Sequence, residues 1–304
     1  MTALMTALEW ETVFRRGMSL VALVCACSGE RPSANVNGDA AWEGSFAVAS
    51  VSGREAYLCF GFPAFARAGE RGIRRIEWSP PDGGGVVFHH AKLYAVPAGS
   101  PAGPWLCEGM PEGAVGLHVW APGGAALTMP EGIGLAMPAG TESLLVEAHA
   151  VRVSDEPGRP GRVRLELWSR APAALAAWVP VQAPVPILRP GQRETSTGSC
   201  HAQARTSVLF AWPHMHLRGI AVHSRVVRPD GASIPLVDVS PWDFHDQRVY
   251  ALGGLPIEPA DVIELACTWQ NEGTGYVFSG PRTVDEMCGE GLIVSPPTST
   301  RCAL

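Results

Sequence analysis

The sequence predicts an all-β fold of two sandwich domains, and three observations carry that expectation. Glycine and proline are abundant, 34 and 27 residues, while charged residues make up only 17%. That balance suits short strands joined by turns rather than long helices. Short apolar or alternating segments recur along most of the chain, each closed by Gly or Pro. The length, 304 residues, exceeds one ordinary domain and fits two of roughly 130 to 150 residues, each able to bury its own core.

Taken in order, residues 1–27 read as an export leader. Arg15-Arg16 precede a short apolar run from Met18 to Cys27, too short to span a bilayer. The small residues before Cys27 match a bacterial lipoprotein cleavage site, which makes Cys27 the lipidation candidate and, once lipidated, a membrane tether. A buried strand with two free thiols is the alternative, and its flanks are wrong for a folded core. Residues 28–40 form a polar tether. The mature protein is expected outside the cytoplasm: periplasmic, an outer-membrane lipoprotein or secreted.

Residues 41–172 carry the first sandwich. Ala56–Phe60, Gly85–His89, Gly116–Trp120 and Ser143–Glu147 are short apolar strands, and Arg162–Trp168 alternates strictly, as a half-buried strand does. Asp82-Gly-Gly-Gly85 is a turn, because no following helix with Lys-Ser/Thr makes it a phosphate loop. Residues 173–195 are rich in Ala and Pro, extended but ill suited to the middle of a sheet, and read as the connection between domains. The second sandwich, residues 196–304, has strands at Ser207–Ala211, Ile220–Val227, Ser233–Val237 and Asp261–Trp269, with a turn at Pro229-Asp-Gly231. A formal net charge of -6 with no basic cluster gives no nucleic-acid partner.

Beyond the leader six cysteines remain: Cys59, Cys107, Cys200, Cys267, Cys288 and Cys302. An even number in an exported protein reads as three disulfides, of which sequence alone allows 15 pairings. If each half is a domain, Cys59 must join Cys107. With no Cys-X-X-Cys, a zinc-thiolate or thioredoxin-like reading is poor.

The residues that carry chemistry are histidines and one methionine. In Trp212-Pro213-His214-Met215-His216, strand periodicity puts His214 and His216 on one face and turns Met215 away, which makes half of a metal site. Two polar residues on a solvated strand face are the plain alternative. His89-His90 closes an apolar segment, where neighbouring side chains point to opposite faces unless the strand ends or bulges. His149 lies in a strongly apolar strand, where a histidine without a partner is costly. Met287 sits beside Asp285 and Glu286, poor company for a core strand, so its thioether reads as displayed. A soft thioether suits Cu(I). A site of His214, His216 and Met287 would therefore favour copper over zinc, and an all-histidine site of His89, His90 and His149 would be a second, chemically different copper centre. His118, His201, His223 and His245 read as structural. No Gly-X-Ser-X-Gly elbow, Walker loop or His-Glu-X-X-His helix is present, which removes the corresponding hydrolase and nucleotide-binding classes.

Together these segments resemble the copper type II, ascorbate-dependent monooxygenases, the family of peptidylglycine α-hydroxylating monooxygenase and dopamine β-monooxygenase. The likeness runs from about Glu55 to Cys302. It rests on Tyr57-Leu-Cys-Phe60, His89-His90, Trp120-Ala-Pro-Gly123, Glu147-Ala-His149, Pro213-His-Met-His216, Trp242-Asp-Phe-His-Asp-Gln247, Cys267-Thr-Trp-Gln-Asn271 and Asp285-Glu-Met-Cys288. It implies two jelly-roll domains facing each other across a solvent-filled cleft with one copper in each. His89, His90 and His149 match the electron-donating site, and His214, His216 and Met287 the oxygen-activating site. The implied cofactors are two coppers per protein molecule, O2 and ascorbate or a similar one-electron reductant. The implied disulfides are Cys59–Cys107, Cys200–Cys302 and Cys267–Cys288.

The departures from the family concern substrate. Where the peptidylglycine branch has an Arg that binds the peptide carboxylate, this protein has Trp212, a candidate pocket residue. Its Asn and Tyr after the ligand Met fall at Gly289 and Gly291, and Glu147 replaces a Gln near the first copper. Losing that cation removes charge-assisted hydrogen bonds to a carboxylate. The expected partner is a small-molecule or modified-peptide substrate. Two other classes remain as alternatives: an extracytoplasmic copper carrier on the same fold without turnover, and a two-sandwich adhesion or carbohydrate-binding module without metal.

Overall fold

The computed structural model describes residues 33–37, 41–48, 51, 53–63, 72–81, 83–97, 99, 103–107 and 112–303. The leader, with Cys25 and Cys27, lies outside the described residues. Those residues are all-β, with no α-helix among them.

One long sheet runs through both halves of the protein. Its order is β1 (Ser33–Asn37), β2 (Ala41–Ala47), β11 (Pro160–Leu167), β4 (Ile73–Ser79), β9 (Ile133–Leu135), β12 (Ala174–Gln182), β19 (Cys288–Ser295), β14 (Thr206–Met215) and β17 (Tyr250–Ile257), with β8 (Leu127–Thr128) on β4. A five-stranded sheet covers its first part: β6 (Trp105–Leu106), β3 (Glu55–Pro63), β10 (Ser143–Arg152), β5 (Val86–Val96) and β7 (Val115–Trp120). A second covers the other part: β16 (Ser233–Val239), β15 (Gly219–Val227), β18 (Val262–Gln270), β13 (Arg193–Ala202) and β20 (Thr300–Ala303).

Each sandwich has its own core. Phe46 on β2 stacks on Phe88 at 5.4 Å and meets Phe60 at 5.1 Å, while Trp42 meets Phe62 edge-on. The second core gathers Val181, Val208, Val222, Leu265, Trp269 and Leu292. Every strand expected from sequence is present. Strands β10 and β14 are mostly apolar because each is paired on both sides and largely buried on both faces.

The Ala/Pro-rich stretch expected to be a connection is instead strand β12, inside the long sheet. It pairs in parallel with β9 over Ala174–Ala176 and antiparallel with β19 over Ala177–Gln182. Pro180 is tolerated because β9 has already ended at that point, so no second ladder loses a donor there. Pro213 repeats the device, lying beyond Ala211, the last residue of β14 to pair with β17. The two halves are thus welded by backbone hydrogen bonds.

Three disulfides staple the fold: Cys59–Cys107, Cys200–Cys302 and Cys267–Cys288. The last crosses from β18 to the first residue of β19, and so anchors the segment that carries Met287. Three disulfides suit an oxidising, extracytoplasmic setting.

Glu290 on β19 is 3% exposed and accepts a hydrogen bond from Ser224 at 2.8 Å. Burial pushes its carboxyl up to about 7 from 4.5. Between these two values the unfolded protein releases a proton that the folded protein keeps, so native stability falls as pH rises through the window. The penalty is full above pH 7 and amounts to roughly 3 kcal/mol. Glu290→Gln keeps an acceptor for Ser224 and removes the charge. Its urea-unfolding stability should therefore lack this fall between pH 4.5 and 8, whereas parallel pH profiles for variant and wild type would refute the account.

Candidate metal centre

His89 and His90 are interior to β5, not at its end, and a β-bulge solves the problem of two neighbours on opposite faces. In the β5–β10 ladder His149 pairs with His90 and Ala150 with Phe88, which leaves His89 as the extra residue. A bulge opposes two residues to one and re-aims the side chain. The ligand atoms of His89, His90 and His149 consequently all lie within 4.8 Å of one another.

His149 is held by two contacts. Its ring stacks on Tyr57 at 4.3 Å, and its Nε2–H donates to Glu55 at 2.9 Å. That leaves Nδ1 with its lone pair free. Burial raises the Glu55 carboxyl, but hydrogen bonds from Thr283 and His149 outweigh it and hold the group below its ordinary value. His149 Nδ1 and His90 Nε2 are buried with no hydrogen-bond partner among the described residues. An orphaned buried nitrogen costs about 1–3 kcal/mol, and a metal ion would satisfy both.

The second set is built on β14 and the turn before β19. His214 and His216 follow the i, i+2 rule, with ring centroids 5.1 Å apart, while Met215 is fully buried in the core behind them. His214 Nδ1–H donates to Gln247 Oε1 at 2.8 Å, and Gln247 is itself fixed by donating to the Phe244 carbonyl at 2.9 Å. His216 Nδ1–H donates to the Asp285 carbonyl at 3.1 Å. Each bond fixes a tautomer and leaves Nε2 with its lone pair, the state a metal requires. Met287 lines the same cavity as His214.

Asp285 and Glu286 were expected to be poor company for a core, yet both are buried, at 6% and 0% exposure. Asp285 is neutralised by Arg282 at 2.7 and 2.9 Å. Glu286 accepts from the backbone N–H groups of His216 at 3.1 Å and Arg218 at 2.5 Å and from the Trp269 indole at 3.0 Å. These bonds tie the end of β14, with its histidines, to the segment bearing Met287. Burial pushes Glu286 up to about 7 against those bonds.

The electrostatics suit neutral imidazoles. Burial lowers His89 to about 4 and carries His90 and His214 well below their ordinary value; it lowers His149 and His216 in the same direction. Unprotonated rings bind metal without proton release at neutral pH. The donor set therefore fits copper: imidazole nitrogens in both sets, with a thioether beside one.

The two sets are not separated by an open cleft. His90 and His214 have ring centroids 5.6 Å apart, and Phe244 is wedged against His89 at 3.9 Å and His216 at 6.1 Å. The cleft implied by the family resemblance is closed for three reasons. Strand β12 is common to both sandwiches; Val119 and Ala121 at the β7 edge pack on Trp212 and Trp178; and Glu55 grips Thr283 Oγ1 at 2.7 Å. At Gly123 (φ 82°) a Cβ would fall 2.2 Å from Asp246 Oδ1, so the Trp120–Gly123 turn docks directly on the Trp242–Gln247 loop.

The remaining sequence expectations also find places. Trp212 stacks on His214 at 5.0 Å and 14°. Glu147 pairs with Lys92 at 3.1 Å. His118 accepts from Trp78 at 2.9 Å, His201 meets the Asp261 carbonyl, and His223 pairs with Asp238. His245 lies 6.1 Å from His89, at the rim of the cluster rather than away from it. Sequence reading missed Glu55, Glu286 and the orienting role of Gln247, whose partners lie far away in sequence. A carboxylate two positions before Tyr57 on the same strand face was the one available hint for Glu55.

Residues 173–298 match the family described as the copper type II ascorbate-dependent monooxygenase C-terminal domain, the half that holds His214, His216 and Met287. No curated protein matches this sequence. Among solved structures, a Paenibacillus xanthan lyase is 11% identical over 88% of this protein and 25% of its own length, with a TM-score of 0.23. The infectious bursal disease virus Gt strain is 10% identical over 88% of this protein and 73% of its own length, with a TM-score of 0.19. The protein thus spans a quarter of the length of the first of these, and neither likeness bears on function. The family match and the donor set agree: residues 173–298 are similar to the copper type II, ascorbate-dependent monooxygenase C-terminal domain.

Proposed function

We propose that the protein is a copper-dependent monooxygenase that hydroxylates a substrate C–H bond. The reaction takes O2 and two electrons from an ascorbate-type reductant with two protons. One oxygen atom enters the C–H bond and the other leaves as water. The observation that carries this reading is a cluster of three imidazoles, His89, His90 and His149, close to a second histidine pair whose His214 lines, with the Met287 thioether, a cavity of about 440 Å³. A copper carrier without turnover has no use for a substrate-sized cavity at its ligands.

His89, His90 and His149 would hold one copper and His214, His216 and Met287 the other. Bound copper supplies one-electron transfer at the first set and O2 binding and C–H oxidation at the second. The protein's own residues do the rest. Glu55, Gln247 and the Asp285 carbonyl orient the imidazoles, and Glu286 holds the Met287 segment in register with β14. Phe244 and Trp212 keep water from the rings. Trp212 stands where a carboxylate-binding cation would be needed, so a glycine-extended peptide is disfavoured. Cleavage at Cys27 with lipidation would hold the enzyme at a membrane outside the cytoplasm.

With copper restored, the protein should consume O2 in the presence of ascorbate and an oxidisable substrate. Met287→Ile should lower that rate by about 100-fold or more while His89, His90 and His149 still take up copper; full activity in the variant would disprove the assignment. Glu55→Gln keeps the shape but weakens the acceptor of His149. Competition with a copper chelator should show about tenfold weaker copper binding at the first set, and an unchanged affinity would mean that Glu55 does not orient the ligand.

A further inference from the structure

The cavity beside His214 and Met287 is walled by Trp178, Trp212 and Tyr94 and bordered by Lys92. It lies between the β5–β7 edge of the first sandwich and the β12–β19–β14 face of the second. Its volume of about 440 Å³ is that of a small-molecule site.

Two glycines on β19 explain its shape. Gly289 pairs with His214 and Gln182, and Gly291 with Trp212 and Pro180, so both lie on the cavity face. A Cβ at Gly291 would fall 1.7 Å from the Trp178 indole, so the indole is laid on bare backbone and forms a flat wall. At Gly289 the nearest heavy atom to a Cβ is the Val181 carbonyl oxygen at 3.9 Å, which leaves open space beside His214. Trp178 and Trp212 meet at 6.3 Å and 48°.

The charges at this wall are already taken. Lys92 Nζ is bonded to Glu147 at 3.1 Å, and Glu290 turns to the opposite face of β19, where Oε1 accepts from Ser224 and Oε2 is buried without a hydrogen-bond partner among the described residues. On the cavity face the described lining residues thus offer aromatic rings and one cation, Lys92, that is already paired. Burying a charged group without a partner is costly, whereas offset stacking on indole is favourable.

We propose that this cavity binds an uncharged, flat aromatic molecule, and that a C–H bond on the ring's substituent is presented to the His214 and Met287 set. The binding follows from the wall alone; only the chemistry rests on the monooxygenase reading. The test uses metal-free full-length protein, with tryptophan fluorescence and calorimetry as readouts. Three ligands share one ring: neutral 2-phenylacetamide, phenylacetate and phenethylammonium. Phenylacetamide should bind saturably, and both charged relatives at least about tenfold more weakly. Gly289→Leu, which fills the open space without backbone strain, and Trp178→Ala should each weaken phenylacetamide binding by about tenfold or more. The proposal is overturned if either charged relative binds as tightly as the amide, or if Gly289→Leu leaves its affinity unchanged. Should Trp178→Ala fail to fold, Gly289→Leu decides alone. Phenylacetamide that binds the metal-free protein but is not oxidised by the copper-loaded one would count against the monooxygenase reading, not against the site.

Discussion

Two ring nitrogens, His90 Nε2 and His149 Nδ1, are sealed from water with no hydrogen-bond partner among the described residues. Much of the surrounding structure follows from tolerating that cost. The bulge at His89 brings a third imidazole to them, Glu55 commits the far nitrogen of His149, and Tyr57 covers its ring. Unmet polar groups in a close-packed interior are destabilising unless something occupies them. A bound cation is the simplest occupant that three neutral imidazoles can share.

The second set depends on rigidity of another kind. His214 and His216 come from a central strand, but Met287 comes from a turn, which by itself would hold a thioether loosely. The Cys267–Cys288 disulfide immediately after it, and Glu286 immediately before it, remove that freedom. Glu286 also links Trp269 of β18 to the end of β14. Loss of that one carboxylate would disturb ligand geometry and core packing together.

The all-β class and most strands were legible because they depend on local period and on residue type, whereas the grouping of His89, His90 and His149 and the disulfide pairing were implied by the family resemblance and by no local pattern. The bulge at His89 was legible only as a requirement, since a bulge is a property of two strands and the partner, β10, lies some sixty residues away. Strand β12 was hidden because its prolines argue against a central position. Only the staggered ends of β9 and β17 make those prolines harmless. The burial of Asp285 and Glu286 could not be read from their charge, because their partners are backbone amides and an arginine placed by the tertiary fold. The closed cleft is likewise a consequence of one shared sheet, which no single segment encodes.

The closure matters for how the sets work together. With His90 and His214 in ring contact, the two sets form one continuous lining of imidazoles rather than two remote centres, yet each retains its own orienting partners. Whether that lining holds two ions is decided most directly by equilibrium dialysis of the metal-free protein against Cu(I), followed by metal analysis of the retained fraction. The account predicts two coppers per protein molecule; one or none would contradict it.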